Sequence, residues 1–433
     1  MRKNINKIVA LAIGISVMSG SIMPVFAADT TQNTSNTTNV QTQVNGKPVL
    51  TLDDAIKLAI SISDTLKLDE MKITYQDKTN DISGKQDDFS NVGGDKKDYD
   101  NNSGDISLNK LKQQENFDED LLIHKVTSKY NDIVTSQIKI DEAAKTLEIK
   151  NSDLENAKFK ASLGMSIDVD LKSAELDIQN LQNIQKSSEN ALKDAEYSFN
   201  VLTGKDVSQY SLEQDVKFEP LKIDGSIDEY LDNTIDSYLE YTEQLVNLNK
   251  DYYGKNYEED NKITVDNMNA AETTASAVSL PILKADENTG YITLIDYEDY
   301  ENKLTAYNKD RNNYTSILSS RLTYLKTKLS NYQDETTLNE NKKKFKDNLK
   351  SYYTNLLASE DKINYYKKNI EINNEKLSNL KVKYDLGMIT DSAYNTQAVS
   401  SEDLDLQLRS EIINYNTLKE DVQKPWIAFS NNI

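Results

Sequence analysis

The 433-residue chain has no cysteine and a single histidine. Disulfides, thiol nucleophiles and cysteine-based metal sites are therefore excluded, and His124 alone makes neither a metal centre nor a triad. Gly-rich phosphate loops and nucleophile elbows are missing as well. We read the chain as a non-enzyme with no cofactor. Positive charge is scarce: 50 Lys and Arg against 71 Asp and Glu leave a net charge of −21, without the clustered cations that nucleic acid requires. Apolar residues make up 37 % of the chain, against the nearly half usual for a compact globule, which predicts elongated, partly wet helices.

Long apolar runs are absent beyond the N-terminus. Residues 1–27 have the form of an export signal: Arg2, Lys3 and Lys7, an apolar run from Ile8 to Val17, then Pro24-Val25-Phe26-Ala27 with small residues for a peptidase. Residues 28–47 are a Thr/Asn/Gln/Ser tract with little to bury, read as a disordered polar linker. Proline is sparse too. Beyond the signal only Pro48, Pro220, Pro281 and Pro425 remain, and between them run long Lys/Glu/Asn/Leu/Ile stretches with apolar residues at helical spacing. The fold class is all-α dominated.

The chain repeats itself. Thr51-Leu52-Asp53-Asp54 has the form of a capping box, and Ser226-Ile227-Asp228-Glu229 echoes it 175 residues later. Glu148 to Met165 aligns without gaps on Glu371 to Met388, with ten of 18 positions identical and an offset of 223. The mature chain thus reads as two copies of one unit, 49–213 and 224–433, joined by 214–223. The second copy carries 223 − 175 = 48 additional residues between those landmarks.

In the first copy a stripe spaced by four and three runs Val126, Tyr130, Ile133, Gln137, Ile140, Ala144, Leu147, Asn151, Leu154. The second copy repeats it from Leu349 through Tyr353, Leu356, Glu360 and Ile363 to Leu377. A seven-residue period is the signature of left-handed supercoiling. A helix from about Asn116 to Leu163 would run roughly 70 Å. Gly164 and Gly387 supply the left-handed residue that ends such a helix, so each copy is a coiled-coil hairpin tipped by Leu163-Gly164-Met165 or Leu386-Gly387-Met388.

The Leu50-Thr51-Leu52-Asp53-Asp54-Ala55-Ile56 opening, the heptad helices into Leu-Gly-hydrophobic tips, and the Leu202-Thr203-Gly204 close resemble the TolC-like outer membrane efflux proteins over essentially the whole mature chain. The resemblance implies a homotrimer whose hairpins close into a hollow α-barrel. It implies a passive efflux or export channel for small molecules or polypeptides at the outer membrane, working with a periplasmic adaptor and an inner-membrane pump. By carry-over Leu163, Gly164, Met165, Leu386, Gly387 and Met388 become adaptor contacts. The family's acidic gate positions, six and nine residues past the second glycine, are Ala393 and Thr396 here, so Asp168, Asp170 and Asp391 near the tips are the substitute gate. Their other reading is favourable placement at the start of a return helix.

The family's membrane β-barrel, four strands per chain, has weak counterparts. Residues 77–115 contain no lipid-facing strand, and Asp95 to Asp105 reads as a solvated loop whose spacing fails as a calcium site. The second copy offers one short hairpin, Ala277–Leu283 and Tyr291–Ile295 around Asp286 to Gly290. The alternative function is an exported helical spacer that has lost the barrel and does not conduct.

Overall fold

The structure, a computed structural model, describes residues 43–44, 46–163, 168–254, 256–285, 287 and 289–430. Residues 1–42, on which the expected export signal and most of the expected linker fall, lie outside the described residues. The described elements run β1 (Gln43–Val44), β2 (Lys47–Leu50), α1 (Leu52–Ile62), α2 (Asp64–Phe89), α3 (Gly94–Ser162), α4 (Asp168–Thr203), β3 (Ser211–Leu212), α5 (Ile227–Gly254), α6 (Tyr257–Asp260), α7 (Val265–Ala277), α8 (Leu294–Asp385), α9 (Asp391–Gln423) and α10 (Pro425–Ser430). No described proline interrupts a helix; Pro425 opens one, where its missing N–H costs nothing. The chain forms two compact units, one from the residues up to Glu70 with Gln114–Thr234 and Asp347 onward, the other from Met71–Gln113 and Ile235–Lys346.

The first unit contains the tandem helical hairpins. Both openings cap as their sequences predict: Asp54 N–H donates to Thr51 Oγ1 at 3.1 Å, and Glu229 N–H to Ser226 Oγ at 3.2 Å. Val126, Tyr130 and Ile133 of α3 are buried with Ala55 and Ala59 of α1, Leu50 of β2, and Ala195 and Phe199 of α4. The alanines four apart let α1 approach closely. The matching stripe of α8 buries Leu349, Leu356 and Ile363, seven apart, and the last two form a core with Ile412 and Tyr415 of α9. Toward the tips the burial thins: Ala144, Asn151, Lys367 and Asn374 are exposed.

Strands are minor. β1 pairs antiparallel with β2 through a turn at Gly46, whose φ is +76°, and β2 pairs parallel with β3. Gln43, Val44 and Lys47, at the end of the tract read as linker, therefore lie in strands. The Tyr130 hydroxyl joins this sheet to α3, donating to Leu50 O and accepting from Glu213 N–H, both at 2.8 Å. The connection that follows lies along α9. Arg409 donates to Gln214 O, Asn416 to Lys217 O and Lys419 to Glu219 O, while the Tyr415 hydroxyl accepts from Leu221 N–H. An extended segment with no strand partner thus has its carbonyls satisfied by side chains.

The second unit corrects two expectations. Asp95 to Asp105 is helical, inside α3. Tyr99 stacks on Tyr252 at 4.1 Å and donates to Asn249 Oδ1, so this acidic segment has a core to fold against, and Lys96 pairs with Asp100 one turn on. Close contact with α2 relies on Gly104, where a Cβ would meet Asn80 Oδ1 at 2.9 Å. The hairpin expected across 277–295 does not form: Ala277 ends α7, the segment to Thr293 is irregular where described, and α8 has already begun at Leu294. The reason lies in Thr293 and Asp296. Asp296 N–H donates to Thr293 Oγ1 at 3.2 Å while Thr293 N–H donates to Asp296 Oδ2 at 3.0 Å, a reciprocal box that takes the second strand into the helix. Pro281 has no N–H for a ladder, and an isolated two-stranded hairpin is marginal in water. The 48 additional residues of the second copy divide accordingly: α8 exceeds α3 by 92 − 69 = 23, and the other 25 lie before α8, in the stretch containing α6 and α7.

Candidate functional site

The second tip is built by helix termination. Gly387 has φ +68°, its N–H donates to Tyr384 O at 2.9 Å, and Met388 N–H donates to Lys383 O at 2.8 Å. Those two bonds are the Schellman pattern, which needs a left-handed residue at this position. A Cβ on Gly387 would meet nothing within 4 Å, so glycine is required by the backbone and not by crowding. Leu386 and Met388 stand on either side, each 69 % exposed.

Leu163 is also exposed, with its N–H on Lys160 O at 3.1 Å. Gly164 and Met165 lie outside the described residues. Asp168 and Asp170 fall in the first turn of α4, their side chains outside the described set. Asp391 is the first residue of α9, immediately after Thr390, whose Oγ1 accepts from Ala393 N–H at 3.2 Å. There it complements the helix dipole. Its hydrogen bond with Tyr384 holds that phenol above its ordinary range.

Sequence reasoning missed the cluster around this turn. Tyr384 and Tyr394 stack with centroids 5.1 Å apart, and Lys381 lies over both rings at 4.9 and 5.3 Å while pairing with Asp385 at 2.9 Å. Lys381 and Tyr384 are three apart on one helix, which is the one local signal; Tyr394 joins them through the fold. Further from the turn a buried polar network links the two helices: Gln397 donates to Asn373 Oδ1 at 2.7 Å, and Asn373 donates to Ser401 Oγ. Satisfied buried polar groups fix the register of a helix pair that apolar contacts alone leave free to slide.

The copies meet across α3 and α9. Lys145 holds both oxygens of Glu402 at 2.7 and 2.8 Å, and burial, with Asp403 and Glu402 adding to it, pushes Glu142 up to about 7. Farther along, His124 Nδ1 lies 2.8 Å from Glu420 Oε2, and Lys424 and Trp426 Nε1 both donate to Asp120, at 2.7 and 3.1 Å. Trp426 stacks on Phe117 with centroids 4.2 Å apart. His124 thus joins α3 to α9 through Glu420, and that hydrogen bond raises its pKa. Among the described residues no group of His, Asp or Glu is arranged to hold a metal ion, and no helix is long and apolar enough to cross a membrane.

No family model and no curated protein sequence matches the chain. Solved structures do. CusC, whose structures follow folding and transmembrane channel formation, superposes with a TM-score of 0.53 at 10 % identity, covering 87 % of this chain and 91 % of that one. The chain has a TolC-like fold. A membrane protein from Pseudomonas aeruginosa gives 0.49 at 10 % identity over 87 % and 93 %, and the outer membrane protein VceC from Vibrio cholerae 0.46 at 9 % over 88 % and 95 %. The tandem helical hairpins of the first unit, with their Gly-ended tip, are the part of the TolC-like fold that the sequence repeat encodes.

Proposed function

We propose that the protein is the channel component of an export system: a homotrimer whose hairpins line a hollow α-barrel through which small molecules or polypeptides pass passively, driven by an inner-membrane pump. The observation that carries this reading is the TolC-like fold, shared over 87 % of the chain with CusC. Residues 1–27 direct export, 28–47 form a polar linker whose end enters β1 and β2, and the copies 49–213 and 224–433 each contribute one hairpin. Leu163-Gly164-Met165 and Leu386-Gly387-Met388 dock the tips of a periplasmic-type adaptor protein. An exposed apolar pair held on a rigid Schellman turn suits that task, because little conformational entropy is lost on binding. Asp168, Asp170 and Asp391 form acidic rings near the threefold axis and favour cations. The protein carries no cofactor and performs no chemistry.

Electron micrographs of the purified chain test the barrel, and planar bilayers test conduction. A hollow trimer with steady conductance supports the channel at the outer membrane; a solid bundle or a monomer overturns it. A second reading is favoured by one specific observation, the helices occupying 77–89 and 94–115 and the start of α8 in place of membrane strands. On that reading the trimer is an exported spacer in the cell envelope, and it would be hollow yet electrically silent.

A further inference from the structure

The tandem copies keep one register along both helices of the hairpin. Asp168 and Asp391, 223 positions apart, open α4 and α9, and the buried pairs Val126 and Leu349, Ile178 and Ser401, Phe199 and Val422 hold the same offset. Each residue of the first hairpin thus has its counterpart 223 positions on.

Two helices flank α3 within the chain: its own return helix α4, and α9 of the second copy. The α3–α9 contact is antiparallel, with Lys145 on Glu402, Asn131 on Arg409 and His124 on Glu420. Its counterparts are Lys368, Thr354 and Asp347 on α8, and Gln179, Lys186 and Tyr197 on α4. All six are exposed, whereas five of the six residues in the α3–α9 contact are half-buried. Apolar side chains differ in the same way. Leu357, Tyr365 and Ile372 of α8 are 46–62 % exposed, while their counterparts on α3, Val134, Glu142 and Ile149, are buried or half-buried.

Stacked repeats bury each unit against the next and leave the two end faces of the array bare. Here those end faces are α4 of the first copy and α8 of the second. We infer that they meet between chains, so that the α8 face of one copy of this protein is covered by α4 of another, in the antiparallel register of α3 on α9. The interface inside the chain names the occupant: the bare α8 face is the counterpart of the surface that α9 covers, and the bare α4 face is the counterpart of the surface that covers it. Lys368 then faces Gln179, Thr354 faces Lys186, and Asp347 faces Tyr197, pairs that can hydrogen-bond and that oppose no like charges. Pairing α8 with α8, or α4 with α4, has no counterpart within the chain. Because two different faces meet, the contact is head-to-tail. This rests on the homotrimer reading and deepens it by naming the seam between its subunits.

The chain has no cysteine, so introduced thiols are unique. Full-length chains carrying Gln179→Cys or Lys368→Cys and different tags are co-expressed and treated with a short bis-maleimide, with sedimentation measuring oligomer size. Lys145→Cys with Glu402→Cys, the equivalent pair inside one chain, calibrates the reach. Expected are cross-links joining the two tags, none when either variant is alone, and covalent trimers from the double variant. Tyr197→Glu, facing Asp347, should raise the half-assembly concentration about tenfold, and adding Asp347→Lys should restore it. A trimer without the mixed cross-link overturns the seam and leaves the channel reading standing. A monomer overturns both. Lys368→Cys cross-linking to its own kind overturns the head-to-tail pairing. Co-flotation with phosphatidylglycerol vesicles that Tyr365→Asp abolishes assigns the α8 face to lipid and overturns the inference.

Discussion

Ionisation of Asp421 should loosen the attachment of α9 and α10 to α3. Burial pushes this carboxyl from 3.8 up to about 6, with Glu420 adding to the rise and His124 opposing it. A group whose folded pKa is raised favours the folded state in its protonated form, so its contribution is present below the unfolded value and lost as pH rises through about 6. His124 acts in the same direction: its bond to Glu420 raises its pKa, so its stabilisation is full below 6.5 and lost above the raised value. Moving the carboxyl from 3.8 to about 6 corresponds to about 3 kcal/mol, of which about 1–2 kcal/mol is recoverable because Asp421 keeps some solvent contact. Asp421→Asn mimics the protonated form. The sole tryptophan, Trp426, stacked on Phe117 beside this cluster, reports its opening by fluorescence. Urea titrations should show wild type and Asp421→Asn alike at pH 4, and the variant more stable by about 1–2 kcal/mol at pH 7.5. The comparison cancels the general repulsion of an acidic chain, which also changes with pH. Equal stability at pH 7.5, or a difference that shrinks as pH rises, would refute the reasoning.

Two further outcomes follow from single atoms. Gly387→Val forces a β-branched residue to φ +68° and should cost about 2 kcal/mol locally, seen as faster amide exchange at the second tip, while Gly387→Asn should cost less than half as much. Tyr130→Phe removes a hydroxyl bonded to Leu50 O and Glu213 N–H, and it should lower stability by about 2–3 kcal/mol in thermal unfolding, because both backbone partners lose a bond.

Periodicity and local capping are legible in the order of residues alone. The stripe Val126, Tyr130, Ile133 and its copy Leu349, Leu356, Ile363 mark the core because burial in a supercoiled pair recurs every seven positions whatever the neighbour is. Gly387 marks the turn because only glycine adopts that φ cheaply. The acidic stretch Asp95 to Asp105 reads as loop from its charge, yet it is helix, since Tyr99 finds Tyr252 and Tyr253 from a segment some 150 positions away. Such partners leave no local trace. Thr293 and Asp296, by contrast, have capping-box spacing in plain view, and that box outweighs the alternation of Tyr291 to Ile295.

By itself, then, the amino-acid sequence determined which segments coil, where they stop and that the pattern occurs twice, because backbone conformation and burial period act over a few neighbouring positions. Only the tertiary structure decided that His124 pairs with Glu420, that Tyr394 completes the ring stack at the second tip, and that Val134 of α3 is buried while its counterpart Leu357 of α8 stays exposed, since those facts depend on which distant surfaces the packed helices bring within reach.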